Sequence, residues 1–322
     1  MENRYLITVL IPCHSLQYLP QSIDSINLQT FPKKDFEVLL VADRIDVSEA
    51  EKILMESGLN YRMMKSIEPG IVAALNLGLS NISSEFVARM DEDDVMLPKR
   101  LQLQFEYLKK HNKVLAVGGQ IALIDIEDRV IGLTRYHRTI KLSSHHLFES
   151  SPIAHPAVMF RTEIVNHIGG YRSFLPEDWD LWVRLREIGP IHNLRERVVN
   201  YRVHSGQLSR EKMYAQAIGK KFVSTSHFAR QKYIRDFPVR SEDPSLWLEE
   251  TQSELRKNSR DFRKFERYSK KMDLVYSALQ IKPKNEKLKR IFSVLLASPI
   301  FTSKLLILRA IVKLKSKSYK SV

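Results

Sequence analysis

Apolar and polar residues alternate in blocks along the first 125 positions. Leu6–Ile11 (LITVLI) is an unbroken apolar run closed by Pro12, the pattern of a strand covered on both faces. Leu19, Ile23, Ile26 and Leu28 follow at near-helical spacing, so Leu19–Leu28 reads as a helix. Glu37–Asp43 (EVLLVAD) repeats the buried-strand pattern and ends on a carboxylate. Ser48 is placed to cap a helix through Glu56, with Glu49 and Glu51 in its first turn. A third strand is expected at Tyr61–Lys65, a third helix at Gly70–Leu79 and a fourth strand at Glu85–Met90. Pro98 then introduces a helix over Lys99–Lys110. This alternation predicts a largely parallel sheet with helices on both faces. Ligands of such sheets bind beyond the carboxyl ends of the strands. Asp43 and the run Asp91–Glu92–Asp93–Asp94 both fall there.

The pattern changes after residue 125. Residues 126–210 are irregular and rich in His and Arg, with strands expected at Ala157–Arg161 and Val198–Val203. A short helix precedes Gly169–Gly170, and a second acidic cluster follows at Glu177–Asp178–Trp179–Asp180. Beyond Arg210 the only glycine is Gly219, and helical periodicity takes over. The expected organisation is a domain over residues 1–210 in two halves, about 1–125 and about 126–210. A helical, basic region over 211–322 completes it.

Composition narrows the class. At 322 residues, 43% hydrophobic and 27% charged, the chain is globular rather than disordered. Cys13 stands alone, which excludes an intramolecular disulfide and a multi-cysteine zinc site and fits a reducing compartment. The net charge of +14 suggests nucleic acid until it is located. Residues 281–322 hold 11 Lys+Arg against Glu286 alone, and the rest is nearly balanced. From Ser298–Pro299 onward apolar and basic residues crowd one helical pattern, which suits an anionic membrane surface. The alternative is a terminal helix packed on the domain. No aromatic platform accompanies the lysines, so nucleic acid is not expected. The first apolar run is too short for a signal peptide. Ile291–Ser303, the longest uncharged apolar stretch, falls short of the roughly 20 residues that span a bilayer, so no transmembrane helix is expected.

Asp91 and Asp93 are spaced i, i+2 at a strand end, where a turn can aim both carboxylates at one point. Their hard oxygens suit Mg²⁺ or Mn²⁺, and such an ion neutralises charge on a departing diphosphate. The alternative is a solvated acidic turn. The flanks bear on that choice. Pro69-Gly70-Ile71-Val72-Ala73-Ala74-Leu75-Asn76-Leu77-Gly78 and Glu85-Phe86-Val87-Ala88-Arg89-Met90-Asp91-Glu92-Asp93-Asp94, with Leu97-Pro98, resemble the family 2 glycosyltransferases of the GT-A fold. Ile7-Thr8-Val9-Leu10-Ile11-Pro12-Cys13-His14 and Ile23–Thr30 are similar to that family's first strand and helix. In order, His155-Pro156-Ala157-Val158-Met159-Phe160-Arg161, Gly169-Gly170-Tyr171, Glu177-Asp178-Trp179-Asp180-Leu181-Trp182 and Tyr201-Arg202-Val203-His204 also resemble it. The resemblance covers roughly residues 5–210.

The resemblance implies an α/β GT-A fold: a Rossmann-like mixed, mostly parallel sheet flanked by helices, here with a helical basic C-terminal extension. It implies an inverting, metal-dependent transfer from a nucleotide diphosphate sugar, UDP by preference, to a hydroxyl of a glycan or lipid-linked acceptor. Capsule, lipopolysaccharide or lipooligosaccharide synthesis is the implied setting. The enzyme would be cytoplasmic, held peripherally at the inner face of the plasma membrane. Asp43 would contact base or ribose, although Ala42 and Arg44–Ile45 depart from the family pattern. Pro12, His14, Gly70 and Asn76 would also serve the donor pocket. Asp91 would lie near ribose and metal, and Asp93 would bind the metal directly. His204 would complete the metal site or touch the diphosphate, and Arg89 would reach phosphate or pair with a carboxylate. Asp178 matches the catalytic base, with Glu177 and Asp180 as rivals. His155 would shape the acceptor pocket, where Trp179 and Trp182 would offer a flat face to a sugar unless they belong to the core. Two other readings are a scaffold of the same fold without catalysis, against which the intact Asp91, Asp93 and Asp178 speak, and a sugar-nucleotide pyrophosphorylase. The latter needs a glycine-rich basic loop where this chain has Pro12-Cys13-His14-Ser15-Leu16.

Overall fold

Strands β1 (Ile7–Cys13) and β2 (Phe36–Ala42) are buried at every position, as their unbroken apolar runs require. They pair in parallel, and β3 (Tyr61–Lys65) and β4 (Phe86–Arg89) extend the parallel set on either side. Removing each of their large aliphatic side chains from water contributes on the order of 2 kcal/mol. The computed structural model describes residues 5–140, 151–172, 176–204, 213–232, 244–260, 262–263 and 266. It divides into two units, Met1–Lys141 with Pro152–Ser205, and Leu142–Ser151 with Gly206–Val322.

In the first unit the remaining strands are β5 (Val95–Met96), β6 (Ala116–Ile124), β7 (Val130–Leu133), β8 (Met159–Arg161) and β9 (Ile191–Arg202). Sheet order is β3-β2-β1-β4-β8-β6-β9-β5, with β7 paired to β6. β8 runs antiparallel to β4 and β6, and β5 antiparallel to β9, so the sheet is mixed. β6 is nearly all buried, yet its apolar pattern is broken by Gly118–Gly119 and Gln120, which hides it from a periodicity reading. β9 is twice the length expected, because exposed Arg195–Glu196–Arg197 interrupts its apolar pattern while its pairing with β6 continues through an irregularity.

Helices α1 (Leu19–Asn27), α2 (Val47–Ser57), α3 (Ile71–Ser80), α4 (Arg100–Lys110), α5 (Thr162–His167) and α6 (Glu177–Ile188) surround this sheet. The cap of α2 is Asp46 rather than Ser48. Its carboxylate accepts the N–H groups of Ser48 (2.9 Å) and Glu49 (3.1 Å), which puts Ser48 inside the first turn. Buried polar groups tie α1 to the chain that follows the acidic run. Met96 N–H donates to Ser25 Oγ (2.9 Å), and the Gln29 amide bridges the Leu97 carbonyl (2.9 Å) and the Leu101 N–H (3.1 Å).

Asn76 on α3 is likewise engaged inside the fold. It donates to the Tyr171 carbonyl (2.8 Å) and accepts the Tyr171 N–H (2.9 Å), fastening α3 to the turn after α5. Both ends of the amide are thus occupied by backbone, a structural duty at a position expected to serve the donor pocket. Gly170 makes this contact possible. Its φ is +63°, and a Cβ there would lie 2.6 Å from Asn76 Oδ1. Gly170→Ala is therefore expected to cost about 1–3 kcal/mol, readable as a lowered midpoint in urea unfolding at unchanged slope.

The second unit contains α7 (Met213–Gln231) and α8 (Pro244–Asn258) among the described residues. Val223, Ala229 and Leu255 are buried there, and the rings of Phe228 and Phe262 meet edge-on at 5.6 Å. No helix among the described residues is long and apolar enough to cross a membrane. The basic helix expected from Ser298 lies outside the described residues.

Candidate active site

The carboxyl ends of β1, β2 and β4 carry the polar groups that the core does not use. At the end of β2, buried Asp43 accepts the Gly70 N–H (2.9 Å) through Oδ2 and Arg44 Nε (3.1 Å) through Oδ1. Gly70 has φ +109° and stands at the N-cap of α3, so the contact needs a residue without Cβ strain. Pro12 is buried within β1 opposite Val41. Just beyond β1, His14 turns to the acidic run. Its backbone N–H donates to Glu92 Oε1 (3.1 Å) and its Nδ1 pairs with the same carboxylate. The hydrogen bond to Glu92 raises the imidazole pKa above its ordinary value.

Beyond β4, Arg89 and Asp91 form a two-pronged pair, with both guanidinium Nη atoms 2.5 Å from the two Asp91 oxygens. Arg89 is 2% exposed. Burial raises the Asp91 carboxyl, Arg89 pulls it back, and Asp93 and Glu92 push it up again, leaving it at about 6. Asp93 receives His204 Nε2 at 2.8 Å. Asp94 is fully buried: Oδ1 accepts the Arg202 N–H (2.8 Å), and Oδ2 has no hydrogen-bond partner among the described residues. Burial, then Asp93 and Asp91, hold the Asp94 carboxyl well above the ordinary carboxylate range. One oxygen from each of Asp91, Asp93 and Asp94 lies within 4.8 Å of the others. Three carboxylates converging at one point are the donor set that a hard divalent cation takes. Asp94 and Glu92 were visible in the sequence only as part of an acidic run, since spacing does not reveal which of its four members turn inward.

The second acidic cluster opens α6, where the helix dipole favours negative charge. Glu177 is buried, and burial followed by the neighbouring Asp178 raises it to about 7. The charges of Arg89 and Asp91 are also felt at Glu177, which brings this helix start near the first acidic run. Asp178 is half-buried, and its Oδ1 accepts the Trp179 N–H (2.8 Å). His155 lies behind this pair, with Nε2 2.8 Å from the Tyr171 hydroxyl and Nδ1 3.7 Å from Glu177 Oε1. Burial, then Arg89, hold His155 well below its usual pKa and therefore neutral.

Three expected site residues have other surroundings. Asp180 is fully buried, with Oδ2 2.7 Å from Arg184 Nε. Arg184 in turn donates to the carbonyls of Ile168 (2.9 Å) and Gly170 (2.6 Å), so this ion pair anchors the turn after α5. Trp179 and Trp182 are 2% and 1% exposed, and Trp182 packs with Leu181, Leu185 and Phe160. Both rings are buried in the core, so neither offers a face to a sugar.

The acids at the carboxyl end of a mixed Rossmann-like sheet coincide with a family match. Residues 8–169 match glycosyl transferase family 2, half of the chain. The chain belongs to that family. This family 2 glycosyltransferase is 35% identical over 208 residues to the O-antigen biosynthesis glycosyltransferase WbnJ of Escherichia coli, spanning 62% of this chain and 80% of the relative. It is 30% identical to the amylovoran biosynthesis glycosyltransferase AmsE of Erwinia amylovora, over 60% of this chain and 74% of that one. Among solved structures, TarS 1-349 of S. aureus in complex with UDP-GlcNAc aligns with TM-score 0.53 at 16% identity, covering 70% of this chain and 72% of that one. The mannosyltransferase PcManGT of Pyrobaculum calidifontis, in complex with GDP-Man and Mn²⁺, aligns with TM-score 0.54 at 16% identity, over 98% and 88%. These likenesses establish the fold as that of a mixed α/β glycosyltransferase.

Proposed function

We propose that this family 2 glycosyltransferase is inverting and divalent-metal-dependent. It moves a sugar from a nucleotide diphosphate sugar, with UDP the preferred carrier, to a hydroxyl of a glycan or lipid-linked acceptor in surface polysaccharide synthesis. The O-antigen and amylovoran names of its relatives support the setting. The observation that carries the metal is the buried Oδ2 of Asp94, without a partner among the described residues, beside the Asp91 and Asp93 carboxylates. A buried polar oxygen without a partner is costly, and a divalent cation is the partner that fits an all-carboxylate donor set. Asp91, Asp93 and Asp94 would hold Mn²⁺ or Mg²⁺, with His204 at its rim. Once bound, such an ion neutralises the charge that grows on the leaving diphosphate.

The chain's own residues do the rest. Asp43 and Gly70, at the end of β2, hold one another where the nucleoside would lie. His14, its imidazole pKa raised by the hydrogen bond to Glu92, stands on the same side. Asp178 takes the proton from the acceptor hydroxyl as its oxygen attacks the anomeric carbon, and the bond from that carbon to the diphosphate oxygen breaks. Attack opposite the leaving group inverts the anomeric configuration. His155 and Tyr171 support the helix start from behind. A basic C-terminal segment at the inner face of the membrane would bring a lipid-linked acceptor within reach.

The test is a thermal-shift titration of the full chain with UDP, GDP, dTDP and CMP, each with Mn²⁺, Mg²⁺ or EDTA. A ligand that binds only the native state raises the midpoint by mass action. The expected result is a rise with one nucleotide, UDP, that EDTA removes. An equal response with and without metal would overturn the metal reading.

A further inference from the structure

Arg202, the last residue of β9, is 1% exposed although it ends in a permanent charge. Its Nε donates to the Asp93 carbonyl (2.9 Å), and its own backbone N–H donates to Asp94 Oδ1 (2.8 Å). Nη1 donates to the Asp125 carbonyl (3.2 Å) and pairs with Asp128 Oδ1 (2.7 Å) in the turn between β6 and β7. The guanidinium also sits 4.5 Å from the centre of the Tyr18 ring, just before α1. On its other side the Tyr18 ring lies 5.4 Å from the imidazole of His204, the partner of Asp93. One side chain thus touches the acidic loop, the hairpin turn and the aromatic neighbour of His204.

We infer that Arg202 is a positioning residue that fixes Asp93 and Asp94 relative to His204, and that Asp128 sets its reach from the β6–β7 turn. The inference rests on reading the three acids as a cation site. Nothing in it requires Arg202 to meet substrate. A planar guanidinium can hold two carbonyls, a carboxylate and an aromatic face at fixed angles, which the point charge of lysine cannot. Asp128 is the adjustable end. It is 60% exposed and adopts φ +63°, a conformation that costs an aspartate more than a glycine. A residue retained there only for the turn would be improved by glycine.

That contrast gives the test. Mn²⁺ binding to the full chain is followed by the electron paramagnetic resonance of the free ion, alongside thermal midpoints, for wild type, Asp128→Asn, Asp128→Gly and Arg202→Lys. Asn keeps an acceptor for Nη1 and tolerates the left-handed conformation, so Asp128→Asn should bind as wild type does. Asp128→Gly should keep or raise its melting midpoint yet bind Mn²⁺ about three- to tenfold more weakly, with excess Mn²⁺ restoring turnover. Arg202→Lys should still melt cooperatively and lose about ten- to a hundredfold in affinity, the range for groups that orient ligands. Wild-type affinity in Asp128→Gly overturns the inference, and so does a fall in its midpoint that tracks the loss of affinity. If wild type itself takes up no Mn²⁺ at millimolar concentration, the cation site fails first and the inference falls with it.

Discussion

Asp178→Asn is expected to lower kcat by about a hundred- to ten-thousandfold, the usual worth of a positioned general base, while leaving the nucleotide-induced thermal shift intact. Asn is isosteric, can still accept the Trp179 N–H, and leaves the half-buried start of α6 in place. What it cannot do is take a proton from the acceptor. Glu177 supplies the control. It is buried, and burial with its neighbour Asp178 raises it to about 7, so it ionises beside Asp178 within the working range. Its negative charge strengthens the proton affinity of the neighbouring carboxylate. Turnover of wild type should therefore climb through about pH 7, and Glu177→Gln should flatten that limb, holding the rate near the wild-type acid-side value without abolishing it. Asp178→Asn should be slow at every pH. A wild-type rate in Asp178→Asn, with Glu177→Gln inactive, would move the base one residue back.

The parts of this molecule that a periodicity reading finds are those where burial is continuous. β1, β2 and β4 are short, apolar and buried throughout, and the carboxylates after them stand out by contrast. Asp91, Asp93, Asp178 and His204 were all legible as candidates, and the first, second and fourth of these meet in space. What failed depended on long-range contact. β6 is buried but contains two glycines and a glutamine, and its partners lie more than 40 residues away on the β8 and β9 sides. Asn76 carried a motif match, yet its amide is spent on Tyr171, 95 residues distant. Trp179 and Trp182 could be read either way from spacing, because i, i+3 places two rings on one face without saying what that face meets. In the sequence Arg202 stands out only as part of Tyr201–His204. Its role is invisible until the loop at 93–94, the turn at 125–128 and Tyr18 converge on it.

Asp93→Asn is expected to act in opposite directions on the metal-free and metal-loaded protein. In the metal-free fold, Asp93 is among the charges that raise both Asp91 and Asp94. An acid whose native pKa is raised binds its proton more tightly when folded. Stability is then fully present at low pH and falls as pH rises from the ordinary carboxylate range through about 6, the value for Asp91. Removing the Asp93 charge eases that repulsion, and Asn can still accept from His204. Above pH 7 the metal-free midpoint of Asp93→Asn should therefore equal or exceed that of wild type. With Mn²⁺ the order reverses. Wild type gains stability by mass action, and the variant, short of one charged ligand, gains little. The same protonation gives wild type a pH signature. Because a cation must displace the protons of both Asp91 and Asp94, Mn²⁺ affinity should strengthen as pH rises through about 6 and beyond, by up to about tenfold per pH unit for each proton displaced. Titrations of both proteins between pH 5 and 8, with melting midpoints at each pH, read all of this at once. A variant that keeps the Mn²⁺-induced rise would remove Asp93 from the cation site, whatever its effect on turnover.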